Sequence, residues 1–213
     1  MKIGVLVSGS GTNLQSIIDF CESDEMVDVA VVISNMADAY ALKRAEAKGI
    51  PTRIVSHKDF PDRAGFDREL IRILKDFGVE LVALAGFMRI LTGEFLRAFP
   101  GRVMNIHPAL LPSFPGLEVR QAAIDYGVRF SGCTVHFVDE GVDTGPIIIQ
   151  AVVPVFPDDT EEELKHRILK QEHRIYPHAI KLFAQGMLRI EGRKVFIKDS
   201  NKDESQWMTN PPL

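Results

Sequence analysis

The stretch Ile3-Gly4-Val5-Leu6-Val7-Ser8-Gly9-Ser10-Gly11-Thr12-Asn13-Leu14 decides the fold class of this 213-residue chain. It begins with an apolar, β-branched run and passes through a turn of serine and glycine. Apolar residues then recur at helical spacing, at Leu14, Ile17, Ile18 and Cys21. The stretch therefore predicts a strand, a glycine turn and an amphipathic helix.

The same alternation continues along the first part of the chain. Strands are predicted at residues 27–34, 52–55 and 79–85, and helices at residues 39–48 and 66–77. Strands that are apolar on both faces and alternate with such helices belong to a parallel sheet covered on both sides. The sequence therefore predicts an α/β fold, with a Rossmann-like, open, mostly parallel twisted sheet and helices on both faces.

After these elements the regular alternation of strands and helices stops. A short helix at residues 93–99 and an apolar strand lead into the loop 108–116, whose prolines exclude regular helix and central strand. A helix over residues 119–126 precedes two strands at residues 132–138 and 146–155. We expect the sheet to gain an antiparallel strand in this part.

A long helix and a hairpin are predicted near the C-terminus. Thr160 and Glu163 have the spacing of a capping box, which marks the start of the helix. We expect this helix to be interrupted or kinked near Pro177 and to end around Gly186. A hairpin over residues 188–197 follows.

The composition excludes several classes of protein. With 46% apolar and 25% charged residues and a formal net charge of −4, the chain has the composition of a globular enzyme. Because it has no basic run, we expect no nucleic acid and no membrane surface as partners. Cys21 and Cys133 lack the spacing of a metal or redox pair, so we expect free thiols and a cytoplasmic protein.

The turn at residues 8–13 exposes backbone N–H groups at a helix N-terminus, a setting that binds phosphate. It does not complete the dinucleotide fingerprint, because Leu14 stands where the third glycine belongs and no acidic residue ends the second strand. A single phosphate monoester held by Gly11, Thr12 and Asn13 is one interpretation. The turn alone equally allows Thr12 or Asn13 to do no more than cap the helix.

Asn105 and His107 have the features of a catalytic pair. Because residues two apart in a strand face the same way, both side chains point at one place. An amide and an imidazole together stabilise the oxyanion of a carbonyl under attack, and the imidazole moves a proton. Asp143, in a glycine-flanked loop, is a candidate carboxylate beside His107. The alternatives are a strand-end histidine, a turn asparagine and an aspartate that only forms an Asx turn.

The sequence shows no setting for a covalent nucleophile or a metal. It has no nucleophile-elbow motif, and neither cysteine lies beside a histidine. We therefore expect direct attack by a substrate amine, without a metal. The remaining histidines are assigned to strand faces and helix surfaces: His57, His136, His166, His173 and His178.

Five motifs, taken together, resemble the phosphoribosylglycinamide formyltransferases, a family of folate-dependent transferases. They lie at residues 8–14, 84–91, 105–112, 132–138 and 143–146. The likeness continues in order to Gln171-Glu172-His173 and Tyr176-Pro177, so it spans nearly the whole chain. It implies transfer of a formyl group from 10-formyltetrahydrofolate to the amine of glycinamide ribonucleotide, a step of purine synthesis.

The resemblance also implies roles for individual residues. The ribonucleotide-binding residues would be Gly11, Thr12, Asn13 and Glu172, and the catalytic residues Asn105, His107 and Asp143. The folate-binding residues would be Arg63, Met88, Arg89, Ile90, Leu91, Asn105, Asp139, Glu140, Gly141, Val142 and Asp143. The chain departs from the family pattern at Arg120, near which family members often carry a histidine.

These roles imply a catalytic mechanism, and we add to it an expected domain organisation. The uncharged amine attacks the formyl carbon while Asn105 and a protonated His107 hold the oxyanion, and Asp143 keeps His107 charged and assists proton movement. We expect one domain over residues 1–198, with a phosphate-binding half to residue 100 and a catalytic and folate-binding half beyond it. We also expect a polar tail at residues 199–213. The protein is expected to be a monomer or a weak homodimer.

Three other functions compete with this one. Relatives that deliver the formyl group to water, methionyl-tRNA or a sugar amine usually carry a further domain, for which we expect no room in this chain. A non-catalytic module would bind nucleotide or folate without turnover. A dehydrogenase would need the glycine and the acidic residue that the first turn and second strand lack.

Overall fold

The structure, a computed structural model, describes residues 1–198, so the predicted polar tail lies outside the described residues. The strands are β1 (Lys2–Val7), β2 (Asp28–Ser34), β3 (Thr52–Ile54), β4 (Leu81–Leu84), β5 (Val103–His107), β6 (Phe130–Phe137), β7 (Ile147–Pro154), β8 (Leu188–Glu191) and β9 (Lys194–Ile197). The helices are α1 (Thr12–Ser23), α2 (Tyr40–Glu46), α3 (Arg63–Asp76), α4 (Gly93–Ala98), α5 (Val119–Tyr126) and α6 (Glu161–Ala184), with a 3₁₀ turn at His57–Asp59.

These strands form one sheet in the order β3-β2-β1-β4-β5-β6-β7-β9-β8. The pairs from β3 through to β5 are parallel, whereas β6 is antiparallel to both β5 and β7. The predicted mostly parallel sheet with an added antiparallel strand is therefore confirmed. The carboxyl ends of β1, β4 and β5 meet at one edge, where open α/β sheets bind ligands.

Helices cover both faces of the sheet because side chains alternate along each strand. On β1, Val5 and Val7 pack with apolar residues of α1 and α6. The intervening Leu6 packs on the other face with α3 and α4, at Phe66, Leu70 and Phe95. The continuous apolar runs of the sequence are thus buried on two sides, as predicted.

The long helix α6 begins with the predicted capping box, in which the Thr160 hydroxyl accepts from the Glu163 N–H and the Glu163 side chain accepts from the Thr160 N–H. Of the predicted interruption or kink near Pro177, the interruption is wrong, because α6 runs over 24 residues with Pro177 inside it. Pro177 and its neighbour Tyr176 are both buried, and this packing offsets the backbone hydrogen bond that a helical proline removes. No helix in the described part of the chain is long and apolar enough to cross a membrane.

Tyr176 also fixes α6 to the centre of the sheet. Its side chain is fully buried, and its hydroxyl donates to the carbonyl oxygens of Leu84 and Met104 at 3.0 and 3.1 Å. Leu84 ends β4, and Met104 directly precedes Asn105 in β5. The helix therefore braces the two strands that lead into the predicted site.

Candidate active site

Asn105 and His107 lie in β5 with their side chains on the same face of the sheet. The antiparallel strand β6 runs beside them, with His136 opposite Asn105 and Thr134 opposite His107. His107 and His136 are 4% and 2% exposed, whereas Asn105 is half-buried. The predicted pair therefore meets a second, unpredicted histidine.

His107 lies between two hydrogen-bond acceptors. Its Nε2 is 2.8 Å from the carbonyl oxygen of Phe114, in the proline-rich loop. Its Nδ1 is 3.3 Å from Oδ2 of Asp143. Carbonyl and carboxylate oxygens only accept hydrogen bonds, so both ring nitrogens of His107 face acceptors.

Asp143 joins two loops to His107. It lies between β6 and β7 with φ 54°, a left-handed conformation that aspartate adopts more readily than most residues. Its Oδ2, which faces His107, also accepts from the backbone N–H of Gly116 at 2.9 Å. The carboxylate therefore does more than form a local Asx turn, the alternative that the sequence left open.

The local turn in this loop is made by Asp139 instead. Its Oδ1 accepts from the Gly141 N–H at 3.1 Å and from the Thr144 hydroxyl at 2.6 Å. Arg193, at the tip of the β8–β9 hairpin, donates to the carbonyl oxygen of Thr144 at 2.9 Å. The loop that carries Asp143 is thus fixed by hydrogen bonds within the loop, to Asp139, and by a hydrogen bond from Arg193 of the hairpin.

His136 belongs to the site, although the sequence analysis assigned it only to a strand face. Its Nε2 lies 3.2 Å from Asn105 Nδ2 and 3.7 Å from Asp143 Oδ1, and its Nδ1 lies 2.9 Å from the carbonyl oxygen of Phe137. Burial lowers the pKa of His136. Alternation along the predicted strand puts His136 and Thr134 on one face, but only the strand register shows that this face meets Asn105.

The turn before α1 has the backbone of an anion site. Gly11 is the N-cap residue, with φ 71°, and no side chain of the described residues caps the helix. The alternative in which Thr12 or Asn13 serves as the cap is therefore wrong. A Cβ at Gly11 would lie 2.5 Å from Ala41 Cβ and 2.8 Å from its Cα, so both backbone angle and space require glycine.

Glu172, in α6, lies against this turn. Asn13 Nδ2 donates to Glu172 Oε2 at 2.7 Å, and Glu172 is only 4% exposed. Burial raises the pKa of Glu172. Asn13 Oδ1 is also buried and finds no hydrogen-bond partner within residues 1–198. An unused amide oxygen and a buried carboxylate beside this turn suit a ligand that carries both hydroxyl groups and a phosphate.

Arg120, where the chain departs from the family pattern, connects two helices. Its Nε and Nη2 donate to Glu161 Oε1 at 3.2 and 3.1 Å, which ties α5 to the first turn of α6. Both side chains are partly exposed, so this ion pair adds little to stability.

The predicted folate-binding residues of the segment after β4 differ in exposure. Met88 and Ile90 are 62% and 54% exposed, and Val142, in the loop after β6, is 49% exposed. Leu91 is 7% exposed and packs in the core with Phe87. Leu91 therefore supports this surface from beneath, while the other three side chains are open to a ligand.

Arg63 and Arg89 line one cavity of about 200 Å³, together with aromatic side chains of the segment before α3. Arg63 is the first residue of α3, whose N-cap Asp62 accepts from the Gly65 N–H at 2.7 Å. It is thus fixed by a helix rather than carried on a solvated loop. Two guanidinium groups on one cavity suit an anionic group such as a carboxylate.

The described residues hold no group of three or more His, Cys, Asp or Glu side chains that could bind a metal ion. Cys21 and Cys133 are free, and burial raises the pKa of each thiol to about 12. Both thiols are therefore protonated near neutral pH and poor nucleophiles.

The chain is similar in sequence to known proteins over most of its length. The formyl transferase family profile matches residues 1–180. The phosphoribosylglycinamide formyltransferase of Haemophilus influenzae is 46% identical over 197 residues, which cover 92% of this chain and 93% of that protein. The trifunctional purine biosynthetic protein adenosine-3 of Drosophila pseudoobscura is 51% identical over 191 residues; the match covers 88% of this chain but only 14% of that longer protein.

A solved structure extends the comparison to the fold. The crystal structure of glycinamide ribonucleotide transformylase 1 from Symbiobacterium toebii superposes with a TM-score of 0.92 and 56% sequence identity, covering 93% of this chain and 94% of that one. Fold and sequence similarity agree over nearly all described residues. The chain therefore belongs to the formyl transferase family.

Proposed function

We propose that the chain is a phosphoribosylglycinamide formyltransferase. It transfers the formyl group of 10-formyltetrahydrofolate to the amine of N1-(5-phospho-D-ribosyl)glycinamide, giving formylglycinamide ribonucleotide and tetrahydrofolate in purine (IMP) biosynthesis. The observation that carries the proposal is the arrangement of Asn105 and His107 on one strand, with Asp143 3.3 Å from the His107 ring. The names of the relatives from Haemophilus influenzae and Symbiobacterium toebii support the choice of acceptor.

The turn at Gly11 and the carboxylate of Glu172 form the ribonucleotide end in this proposal. Backbone N–H groups of Gly11, Thr12 and Asn13, at the positive end of the α1 dipole, bind the phosphate. The Glu172 carboxylate accepts hydrogen bonds from the ribose hydroxyls. The 2.7 Å bond from Asn13 to Glu172 supports this division of roles, because it fixes the two subsites side by side.

Exposed apolar side chains and arginines form the folate end. Met88, Ile90 and Val142 cover the pterin ring, and backbone groups of the loop 139–143 contact its polar edge. Arg63 and Arg89 bind carboxylate groups of the glutamate tail, for which the cavity that they share provides the charge.

In the proposed reaction the amine nitrogen attacks the formyl carbon, so the bond from that carbon to N10 breaks and the formyl oxygen carries transient negative charge. Asn105 Nδ2 donates to that oxygen, and the doubly protonated His107 ring places positive charge beside it. In the structure His107 Nε2 bonds to the Phe114 carbonyl, so this contact yields when Nε2 donates to substrate. Asp143 stabilises the charged ring and assists proton movement from the amine to N10.

The proposal extends to the organisation of the protein. Residues 1–198 form one domain, with a phosphate-binding half to residue 100 and a catalytic and folate-binding half from residue 101. We place the protein in the cytoplasm, as a monomer or weak homodimer. No metal takes part in the proposed reaction.

The test mixes the purified protein with glycinamide ribonucleotide and a 10-formyl folate, and follows deformylated folate by absorbance. Product that forms only when the ribonucleotide is present is the expected result. Product without the ribonucleotide would indicate a deformylase. Binding of both compounds in a calorimeter without any product would indicate a non-catalytic module, and either outcome would overturn the proposal.

A further inference from the structure

His136 is the one buried histidine of the site that the proposed reaction does not use. It lies opposite Asn105 across the β5–β6 pair and is 2% exposed. Its Nδ1 faces a hydrogen-bond acceptor and its Nε2 faces an amide nitrogen, and this difference determines where the proton of the ring lies.

The hydrogen-bond partner of Nδ1 favours a proton on that atom of the His136 ring. Nδ1 lies 2.9 Å from the carbonyl oxygen of Phe137, which only accepts hydrogen bonds. In a neutral imidazole the other nitrogen then has a lone pair and accepts. Nε2 of His136 is therefore an acceptor, and it lies 3.2 Å from Asn105 Nδ2.

The surroundings of His136 favour the neutral ring. The groups with charge around it are Asp143, Asp139 and His107. The nearest carboxylate oxygen, Asp143 Oδ1, is 3.7 Å away, beyond hydrogen-bond distance, while the other oxygen of Asp143 bonds to Gly116. Burial and the nearby His107 disfavour the charged ring more than the two carboxylates favour it, so the pKa of His136 is lowered.

A side-chain amide presents a donor on one side and an acceptor on the other, and it exchanges them when it turns by 180°. We propose that His136 is a positioning residue whose Nε2 selects the NH₂ side of the Asn105 amide, so that the second Nδ2 hydrogen remains for the formyl oxygen. With the amide turned, Asn105 would present Oδ1 and repel the oxyanion. This inference rests on the proposed function.

Two substitutions separate this role from a merely structural one. In His136→Gln the Oε1 atom can accept at about the reach of Nε2, whereas the shorter side chain of His136→Asn cannot. Loss of one oxyanion donor lowers the rate on the order of 100- to 1,000-fold, which is the upper limit for loss of its orientation. We expect His136→Asn to lower kcat about ten- to hundredfold, and His136→Gln to retain more activity than His136→Asn.

The double variant provides the sharper readout. In an Asn105→Ala background His136→Asn should lower kcat less than about threefold, because no amide remains to be oriented. An equal fold-loss in both backgrounds would overturn the proposal. The pH profile of kcat should keep its limbs in His136→Gln, and loss of a limb would instead make His136 a proton-transfer group.

A measurement without turnover tests the proton position directly. Long-range ¹H–¹⁵N spectra of histidine-labelled protein, assigned with His136→Asn, should show the neutral Nδ1–H tautomer from pH 7 to 8. A ring protonated on Nε2 in this range would overturn the proposal. If the wild-type protein formylates no ribonucleotide, the proposed function fails, and the spectra still decide the proton position.

Discussion

Replacement of Gly11 by alanine tests the anion-binding turn, because it should destabilise the folded protein in two separate ways, through the backbone conformation and through steric overlap. The native φ of 71° costs a residue with a Cβ about 1–2 kcal/mol. The new methyl group would lie 2.5 Å from Ala41 Cβ, and overpacking of this kind costs about 1–3 kcal/mol. We expect Gly11→Ala to lower the free energy of unfolding by about 2–5 kcal/mol, and Tm by roughly 4–20 °C for a chain of this size.

The same substitution has a selective effect on binding. It shifts the first-turn N–H groups that would hold the phosphate, and a hydrogen bond to a charged group is worth about 1.5–3 kcal/mol. The KM for the ribonucleotide should therefore rise about ten- to hundredfold. The KM for the formyl folate should stay within about twofold, because the turn contacts only the ribonucleotide in the proposed arrangement.

Gly9→Ala is the matched control in the same turn. A Cβ at Gly9 meets no atom of residues 1–198 within 4 Å, so its free energy of unfolding should change by less than about 1 kcal/mol. Guanidinium unfolding followed by circular dichroism compares the two variants, and steady-state kinetics with each substrate varied in turn gives both KM values. Equal destabilisation by the two variants, or equal rises in both KM values, would refute the reasoning.

Three further predictions concern the catalytic pair, the buried carboxylate and the arginine cavity. Asn105→Ala and His107→Ala should each lower kcat on the order of 100- to 1,000-fold with little change in Tm, and near-normal turnover in the folded variants would remove both residues from the mechanism. Because burial raises the pKa of Glu172, the folded protein holds this proton more tightly than the unfolded chain, and stability falls as pH rises from about 4.3 through the folded pKa. Glu172→Gln should remove this part of the slope in unfolding midpoints measured between pH 4 and 8, and parallel curves for the two proteins would contradict it. Arg63→Ala or Arg89→Ala should raise the KM for 10-formylfolate about tenfold, but not the KM for 10-formylpteroate, which lacks the glutamate tail; a rise with both compounds would argue against the assigned contact.

The sheet could be predicted from the sequence because its signals are local. Periodicity of two or of 3.6 residues, and the glycine and proline boundaries, are properties of short segments, and the alternation from β1 to β4 follows them. The capping box at Thr160 is equally local. Pro177 shows the limit of such reasoning, because its place inside α6 goes with burial in the tertiary structure, which its neighbours in sequence do not specify.

The candidate site was only partly predictable. The spacing of Asn105 and His107 within one strand gives their common face, but the contact with Asp143 depends on how a loop folds back over the sheet. His136 required the register between β5 and β6, which no local pattern specifies. The contact of the Phe114 carbonyl with His107 has the same origin, since it joins a loop to a strand through tertiary structure.

The backbone angle and the reach of the side chain both favour aspartate at position 143. Aspartate adopts φ 54° more readily than most residues, although Glu118, at the same φ, shows that the fold also holds a glutamate in this conformation. Glutamate would also carry its carboxylate one methylene beyond the Gly116 N–H that Asp143 now contacts. Two acids of equal charge are thus unequal here, because the distance from the main chain to the Gly116 N–H matches the shorter side chain.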